Sequence, residues 1–277
     1  METSDILMDT SILLGKKYKD FTRRESELFY LLDMEHHRSA VEQKIGGPFG
    51  LHGGTHARDC SSQRAVLESK ELFTSDYDKP IFLDLGFGAG RQLIYAAHHG
   101  WQAYGIDLSS RCLDLAQDAI IQATNKGYIE EGSVRIAQGN FFPRDFDRFG
   151  RSIDDVLSAL SDVIPLNAQL EKKLWKKGFA VSFKGGIRKL KKECKNRDPY
   201  ADIDLALEEV DLFYHYQVER HNRIVRLFSE RAKKGAFLLF NRSLNDTPKA
   251  YENVRVVEQA GKDLGEGYIL VLYKKVA

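Results

Sequence analysis

A chain of 277 residues with 43% hydrophobic and 29% charged residues has the composition of an ordinary soluble globular protein. Its 41 basic and 40 acidic residues leave a formal net charge of +1, so no strong overall field favours nucleic acid or a membrane surface. Three cysteines without a Cys-x-x-Cys pair argue against a disulfide framework and against a structural zinc site. No apolar run reaches the roughly 18 residues of a membrane span. We therefore expect a cytoplasmic protein with no membrane partner.

The first quarter of the chain predicts helices around a glycine-rich loop. Residues 20–45 are rich in helix formers and predict one or two amphipathic helices, which pack on the main domain or mediate a homodimer. Residues 46–54 predict a loop, and two interpretations of this loop stay open: a mobile lid on the substrate side, or a plain linker. A further helix is predicted over 61–73. We treat residues 1–75 as a helical N-terminal extension or lid.

The stretch 81–91, IFLDLGFGAGR, organises the rest of the chain. A short apolar run with one carboxylate, Asp84, predicts a parallel strand that is covered on both faces. Gly86, Gly88 and Gly90 follow, and they let the backbone turn tightly and approach a ligand. The next residues have helical spacing up to Gly100. A strand, a glycine turn and a helix N-terminus together indicate a site for a nucleotide-like molecule.

Strands and helices then alternate. The sequence predicts a second strand over 101–106, a helix capped by Ser109 or Ser110, and a third strand over 133–139. Units of about 25–30 residues of this kind are typical of a parallel sheet with right-handed crossovers. Near the end of the chain, 236–240 predicts a buried strand and 253–275 predicts an antiparallel hairpin.

The position of the fourth strand stays open at this stage. Residues 153–164 are apolar at helical spacing, whereas 178–183 have the better strand pattern but come late. Residues 202–233 predict one long or two shorter helices. We therefore expect a main domain over 76–277 that carries a helical insert at about 185–233.

The glycine spacing distinguishes between nucleotide-like ligands. The third glycine of a dinucleotide fingerprint would fall on Arg91, and the Gly-Lys-Ser/Thr of a phosphate-binding loop is absent. The run from Asp84 to Gly90 instead resembles the first motif of class I S-adenosylmethionine-dependent methyltransferases. The resemblance extends to YGIDLS at 104–109 and to Gly139–Phe141. It implies a Rossmann-like α/β fold: a seven-stranded, mostly parallel sheet with helices on both faces and an antiparallel C-terminal hairpin, here with helical N-terminal and late-insert lids.

The resemblance also implies S-adenosylmethionine as cofactor and a set of residues that hold it. Asp107 would accept both ribose hydroxyls, Leu108 and Phe141 would sandwich the adenine ring, and Asn140 would face its amino group. The glycines would pass under the methionine and ribose portions, and Asp84 would support the amino-acid end. Asn140 stands where the family usually has an acid. The predicted cofactor-binding residues are Asp84, Gly86, Gly88, Gly90, Asp107, Leu108, Asn140 and Phe141.

The sequence indicates the methyl acceptor less clearly than it indicates the cofactor. The candidates for a base are His52 and His56 in the glycine-rich loop and Tyr214 and His215 on the predicted later helix. No metal site is expected. The loop before the cofactor motif is faintly similar to sterol- and tocopherol-type small-molecule methyltransferases, and the Asn/Asp-Pro-Pro-Tyr motif of nucleic-acid enzymes is absent.

Three functions follow from these observations. The first is methylation of a small hydrophobic or aromatic metabolite, with no nucleic-acid partner. The second is methylation of a protein, and the third is cofactor binding without methyl transfer.

Overall fold

The computed structural model describes residues 79–143, 198–216, 221–243, 251–260 and 268–277, together with Leu28, Leu67, Phe73 and Phe146. The described elements are β1 (Ile81–Leu85), α1 (Arg91–His98), β2 (Gln102–Asp107), α2 (Ser110–Asn125), β3 (Val134–Gln138), α3 (Pro199–Asp202), β4 (Leu212–Tyr216), α4 (His221–Arg231), β5 (Phe237–Ser243), β6 (Val254–Ala260) and β7 (Tyr268–Lys275). In the described part, no helix is long and apolar enough to cross a membrane.

The seven strands form one sheet in the order β3-β2-β1-β4-β5-β7-β6. The first five strands are parallel to one another, and β7 runs antiparallel to both of its neighbours, β5 and β6. This confirms the predicted Rossmann-like sheet with its antiparallel C-terminal pair. The strand order reverses direction beside β1, and ligands of open α/β sheets bind at such a switch point, outside the carboxyl ends of the strands.

β1 is central because both of its faces are apolar. Phe82 packs on one side with α1 and with the ring of Trp101, in a core that also contains Leu28, Leu67 and Phe73. Leu83 and Leu85 face the other core, which β4, β5 and α4 complete. Because side chains alternate along a strand, a run that is apolar at nearly every position has to be covered twice.

Most of the predicted elements before residue 140 are confirmed. Ser109 is the N-cap of α2, and its hydroxyl accepts a hydrogen bond from the backbone of Cys112. Helix α1 stops before Gly100, and β2 and β3 lie within a residue or two of their predicted bounds. The predicted helices over 20–45 and 61–73, the homodimer contact and the loop over 46–54 lie outside the described residues, apart from Leu28, Leu67 and Phe73.

The prediction for the fourth strand is wrong. The strand beside β1 is Leu212–Tyr216, within the segment predicted to be helical, whereas both proposed positions (153–164 and 178–183) lie outside the described residues. The run LFYHY is apolar or aromatic at every position and only five residues long, so its periodicity does not separate a buried strand from a buried helix turn. The helical insert predicted over 185–233 therefore contains β4 and α4 of the main fold.

Asp211 places β4 between its two neighbours. One oxygen of its buried carboxylate accepts a hydrogen bond from the backbone N–H of Ile81 at 2.8 Å, at the start of β1. The other oxygen lies 2.6 Å from the ammonium of Lys233. Its backbone carbonyl accepts from Phe237 N at 2.8 Å, at the start of β5. One residue thus joins the amino ends of three strands.

We expect Asp211→Ala to lower the free energy of unfolding by about 1–3 kcal/mol, because the partly buried N–H of Ile81 loses its acceptor. Denaturant titration of the variant measures this change. Asp118→Ala, on the exposed face of α2, is the matched control and should change stability by less than about 0.5 kcal/mol. Equal stability of the two variants would contradict the role given to Asp211.

Candidate active site

The turn after β1 adopts the left-handed backbone that glycine tolerates. Gly86, Gly88 and Gly90 have φ angles of 94°, 56° and 74°. At Gly90 a side chain is also excluded by packing, because a Cβ there would lie 2.9 Å from the Cβ of Ala116 on α2. The glycines therefore set both the course of the turn and the close approach of α1 to α2.

Asp107 closes this turn from the end of β2. Its Oδ2 accepts a hydrogen bond from Gly88 N at 3.0 Å, and its Oδ1 accepts one from Ser109 N at 2.8 Å. Burial raises the pKa of Asp107 to about 6, although hydrogen bonds from the backbone of Ser109, Gly88 and Leu108 act in the opposite direction. The carboxylate is thus held rigidly by backbone donors and keeps lone pairs that can accept further hydrogen bonds.

Gly105 on β2 gives the turn room to fold over the sheet. A Cβ at this position would lie 2.6 Å from the ring of Phe87 and 2.6 Å from a methyl group of Leu93. The Phe87 side chain is buried and covers this glycine. Gly105 stands within the YGIDLS motif at 104–109, and a glycine inside an otherwise apolar strand is the sequence signal for such a close approach.

Asp84 is the buried carboxylate of β1. Its side chain is 2% exposed, and among the described residues its Oδ1 has no hydrogen-bond partner. Burial raises its pKa well above the usual range, and the nearby negative charge of Asp107 raises it further. Two neighbouring acidic groups with raised pKa values form an environment that a cationic ligand group would stabilise.

The loop after β3 carries the residues predicted to contact adenine. The backbone N–H of Gly139 bonds to the carbonyl of Asp107 at 2.8 Å, which fixes the loop to the end of β2. The side-chain oxygen of Asn140 accepts from Phe142 N at 3.1 Å, so this amide shapes the loop. Leu108 is half-buried, and its carbonyl accepts from the side chain of Gln138 at 3.2 Å.

His215 lies at the carboxyl end of β4, beside the start of the glycine turn. Its Nδ1 lies 2.5 Å from the carbonyl oxygen of Leu85, which only accepts, so Nδ1–H is the donor and Nε2 carries a lone pair. Burial lowers the pKa of His215 to about 4, against the raising effect of the bond to Leu85. Its Nε2 is buried and has no hydrogen-bond partner in the described part of the chain.

Aromatic rings surround this imidazole. The rings of Phe141 and Phe240 lie 5.4 and 5.6 Å from it, centroid to centroid. Phe141 also contacts Phe142 at 4.7 Å. The side chain of Phe141 therefore reaches from the predicted adenine loop to the end of β4. Phe240, which sequence reasoning took only as part of a buried strand, belongs to the same cluster.

The structure separates the four acceptor-side candidates. Tyr214 points to the opposite face of β4 from His215, where its buried ring stacks on Phe82 at 6.2 Å. His52 and His56 lie outside the described residues. Of the candidates that the structure describes, His215 alone meets the glycine turn. Within the described ranges no group of three or more His, Cys, Asp or Glu side chains could hold a metal ion.

These features suit a ligand with a ribose and an ammonium group. Asp107 offers backbone-held acceptor oxygens at the switch point, and Asp84 and His215 present buried polar atoms that lack partners among the described residues. Together with the sheet order, they form the Rossmann-like fold and the switch-point site that the resemblance to class I S-adenosylmethionine-dependent methyltransferases implies.

Comparison with known proteins agrees with this class. Residues 83–160 match the family model described as a methyltransferase domain, a span that runs from β1 past β3. The chain therefore contains a methyltransferase domain, and S-adenosylmethionine is its methyl donor. No curated protein matches the chain.

Solved structures with a similar fold share little sequence with this chain. A putative O-methyltransferase from Klebsiella pneumoniae has 10% identity and a TM-score of 0.49, over 97% of this chain and 94% of that one. The O-methyltransferase TomG from Streptomyces achromogenes has 11% identity and a TM-score of 0.44 over the same shares. An rRNA methylase from Streptococcus thermophilus has 11% identity and a TM-score of 0.44, over 79% of this chain and 98% of that one.

Proposed function

We propose that the protein transfers the methyl group of S-adenosylmethionine to a small hydrophobic or aromatic metabolite. The observation that carries this proposal is His215, a neutral imidazole with a lone pair on Nε2, set among the rings of Phe141 and Phe240 beside the glycine turn. Apolar walls around a single polar atom are typical of pockets for small organic molecules. The balanced charge of the chain is unlike that of a protein that binds a polyanion.

In this proposal the cofactor is held by the residues that the sequence motif indicated. Asp107 accepts the two ribose hydroxyls, and the backbone of Gly86, Gly88 and Gly90 leaves room for the methionine and ribose portions. Asp84 stabilises the ammonium group of the amino-acid end. Leu108, Asn140 and Phe141 hold the adenine side, and because the oxygen of Asn140 already accepts a bond within the loop, its NH₂ group is the part best placed to donate to the adenine ring.

The bound cofactor supplies an electrophilic methyl group on a sulfonium, so this chain has to orient the acceptor and exclude water. His215 accepts a hydrogen bond from the O–H or N–H of the acceptor at Nε2, which turns a lone pair of the nucleophile towards the methyl group. The bond from Nδ1–H to Leu85 fixes the imidazole for this task. Its low pKa keeps the ring neutral, so it works as a hydrogen-bond acceptor throughout the neutral pH range.

The test is a labelled-methyl assay. The purified protein is incubated with S-adenosylmethionine carrying an isotopic label on the methyl group and with a fractionated cell extract, and products are identified by mass spectrometry. We expect label in a low-molecular-weight, organic-soluble product. Label in polypeptide or in RNA would contradict the proposed acceptor class and show that the acceptor is a protein or an RNA. Binding of the cofactor with no S-adenosylhomocysteine formed from any fraction would contradict methyl transfer to a metabolite.

A further inference from the structure

A short helix from a distant part of the chain supports the loop on the predicted adenine side. Helix α3 begins at Pro199, and the hydroxyl of Tyr200 donates a hydrogen bond to the backbone carbonyl of Phe141 at 2.5 Å. The two residues are 59 positions apart in sequence, and the bond is buried. Burial raises the pKa of Tyr200 further above its usual range, so its hydroxyl remains a donor. This bond holds a carbonyl in the middle of the loop.

The same helix also fixes the start of the loop by close packing. A Cβ added at Gly139 would lie 2.7 Å from two carbon atoms of the Pro199 ring, so the backbone of the loop is in direct contact with the helix. The loop is thus held on two sides, since Gly139 also donates to the carbonyl of Asp107. The residue between the two anchor points is Asn140.

The orientation of α3 is set by its own N-cap. The carboxylate of Asp198 accepts from the backbone N–H groups of Tyr200 and Ala201 at 3.1 and 3.4 Å. Asp198 itself is exposed, whereas Pro199 and Tyr200 are buried. The cap therefore orients the buried part of the helix without belonging to the core.

We propose that Tyr200 is a positioning residue for the cofactor: its hydroxyl holds the loop Gly139–Phe142 in the shape in which Asn140 faces the adenine ring. Tyr200 acts through the backbone of Phe141 and touches neither cofactor nor acceptor. The proposal rests on the assignment of Asn140 to adenine under the proposed function. In this proposal, recognition of the adenine base depends on α3, a helix that is distant in sequence from the loop that it contacts.

The test compares two ligands that differ only in the base. S-adenosylhomocysteine carries adenine, whose N1 can accept a hydrogen bond from the Asn140 NH₂ group, whereas S-inosylhomocysteine carries hypoxanthine, whose N1–H is a donor beside a carbonyl oxygen in place of the amino group. We expect Tyr200→Phe to weaken binding of S-adenosylhomocysteine about three- to tenfold in calorimetry, the range that corresponds to one hydrogen bond. Binding of S-inosylhomocysteine should change less, so the preference for adenine falls. Asp198→Ala, at an exposed position, should lower the same preference by a smaller factor.

Tyr104→Phe is the matched control, because it removes a hydroxyl from another buried tyrosine of the same core. The preference for adenine should stay at the wild-type value in this variant. If Tyr200→Phe weakens both ligands equally, or neither, the positioning role is wrong and Tyr200 serves only the fold. If the wild-type protein itself binds neither ligand, the cofactor site fails instead, so the two failures are distinguishable.

Discussion

Replacing His215 by phenylalanine should lower kcat about 100-fold while leaving the affinity for S-adenosylhomocysteine within a factor of about three. Phenylalanine preserves the ring that packs between Phe141 and Phe240, but it removes the lone pair that orients the acceptor. The measurement is steady-state kinetics with the acceptor found in the labelled-methyl assay, together with calorimetry of cofactor binding.

His98→Phe is the control for this variant. His98 also has its Nδ1 against a backbone carbonyl, that of Tyr128 at 2.8 Å, but it lies in the last turn of α1, at the end away from the glycine turn. This variant should keep the wild-type kcat. An equal loss of kcat in both variants would indicate that a histidine–carbonyl bond matters only for stability.

The pH profile adds an independent check on His215. Because its pKa is lowered to about 4, the imidazole stays neutral at pH 5 and above, and its protonation should leave kcat unchanged there. Below about pH 5 the protonated fraction rises and kcat should fall. A limb of the profile between pH 6 and 7 that disappears in His215→Phe would contradict the neutral, hydrogen-bond-accepting role.

Replacing Asp107 by alanine should weaken binding of S-adenosylhomocysteine by about 1.5–3 kcal/mol, roughly 10- to 150-fold, because charge-assisted hydrogen bonds to the ribose are lost. The variant also removes the acceptor for Gly88 N, so the glycine turn loses its tie to β2. Calorimetry measures the change. Asp114→Ala, at an exposed position of α2, should bind as the wild type does, and unchanged affinity in the Asp107 variant would mean that the ribose lies elsewhere.

Because the pKa of Asp107 is raised, the affinity for S-adenosylhomocysteine should depend on pH. A ligand that needs the ionised carboxylate binds fully above the pKa of about 6, and its affinity falls by at most about tenfold per pH unit below that value. The pKa of the neighbouring Asp84 carboxyl is also raised, by burial and by the negative charge of Asp107. Asp107→Asn separates the two contributions, and it should flatten the profile if Asp107 is the main titrating group.

The region around β1 was predictable because its physical constraints are local. A buried strand needs a continuous apolar run, the turn after it needs glycine, and the end of β2 places Asp107 beside that turn. Each of these constraints can be recognised in a stretch of about 30 residues of the sequence. The sheet and the cofactor class followed from them. The structure confirms the fold, and it adds the hydrogen bond from Gly88 to Asp107, which the sequence did not predict.

The acceptor side depends on contacts between distant residues, which no local pattern encodes. The sequence indicated His215 as a candidate, but on a predicted helix. In the structure His215 lies on β4, and the register of this strand places it opposite the end of β1. Tyr214, the adjacent candidate, points into the other core for the same reason. The bond from Tyr200 to Phe141 joins segments on both sides of a long intervening stretch. Only the folded sheet brings these residues together.

A crystal structure with S-adenosylhomocysteine would show where the cofactor binds. We expect both ribose hydroxyls within hydrogen-bond distance of the Asp107 carboxylate, the adenine ring beside Asn140, and the sulfur atom on the side of the glycine turn where His215 lies. A ligand bound away from the carboxyl ends of β1 and β2, or a ribose without contact to Asp107, would contradict this expectation.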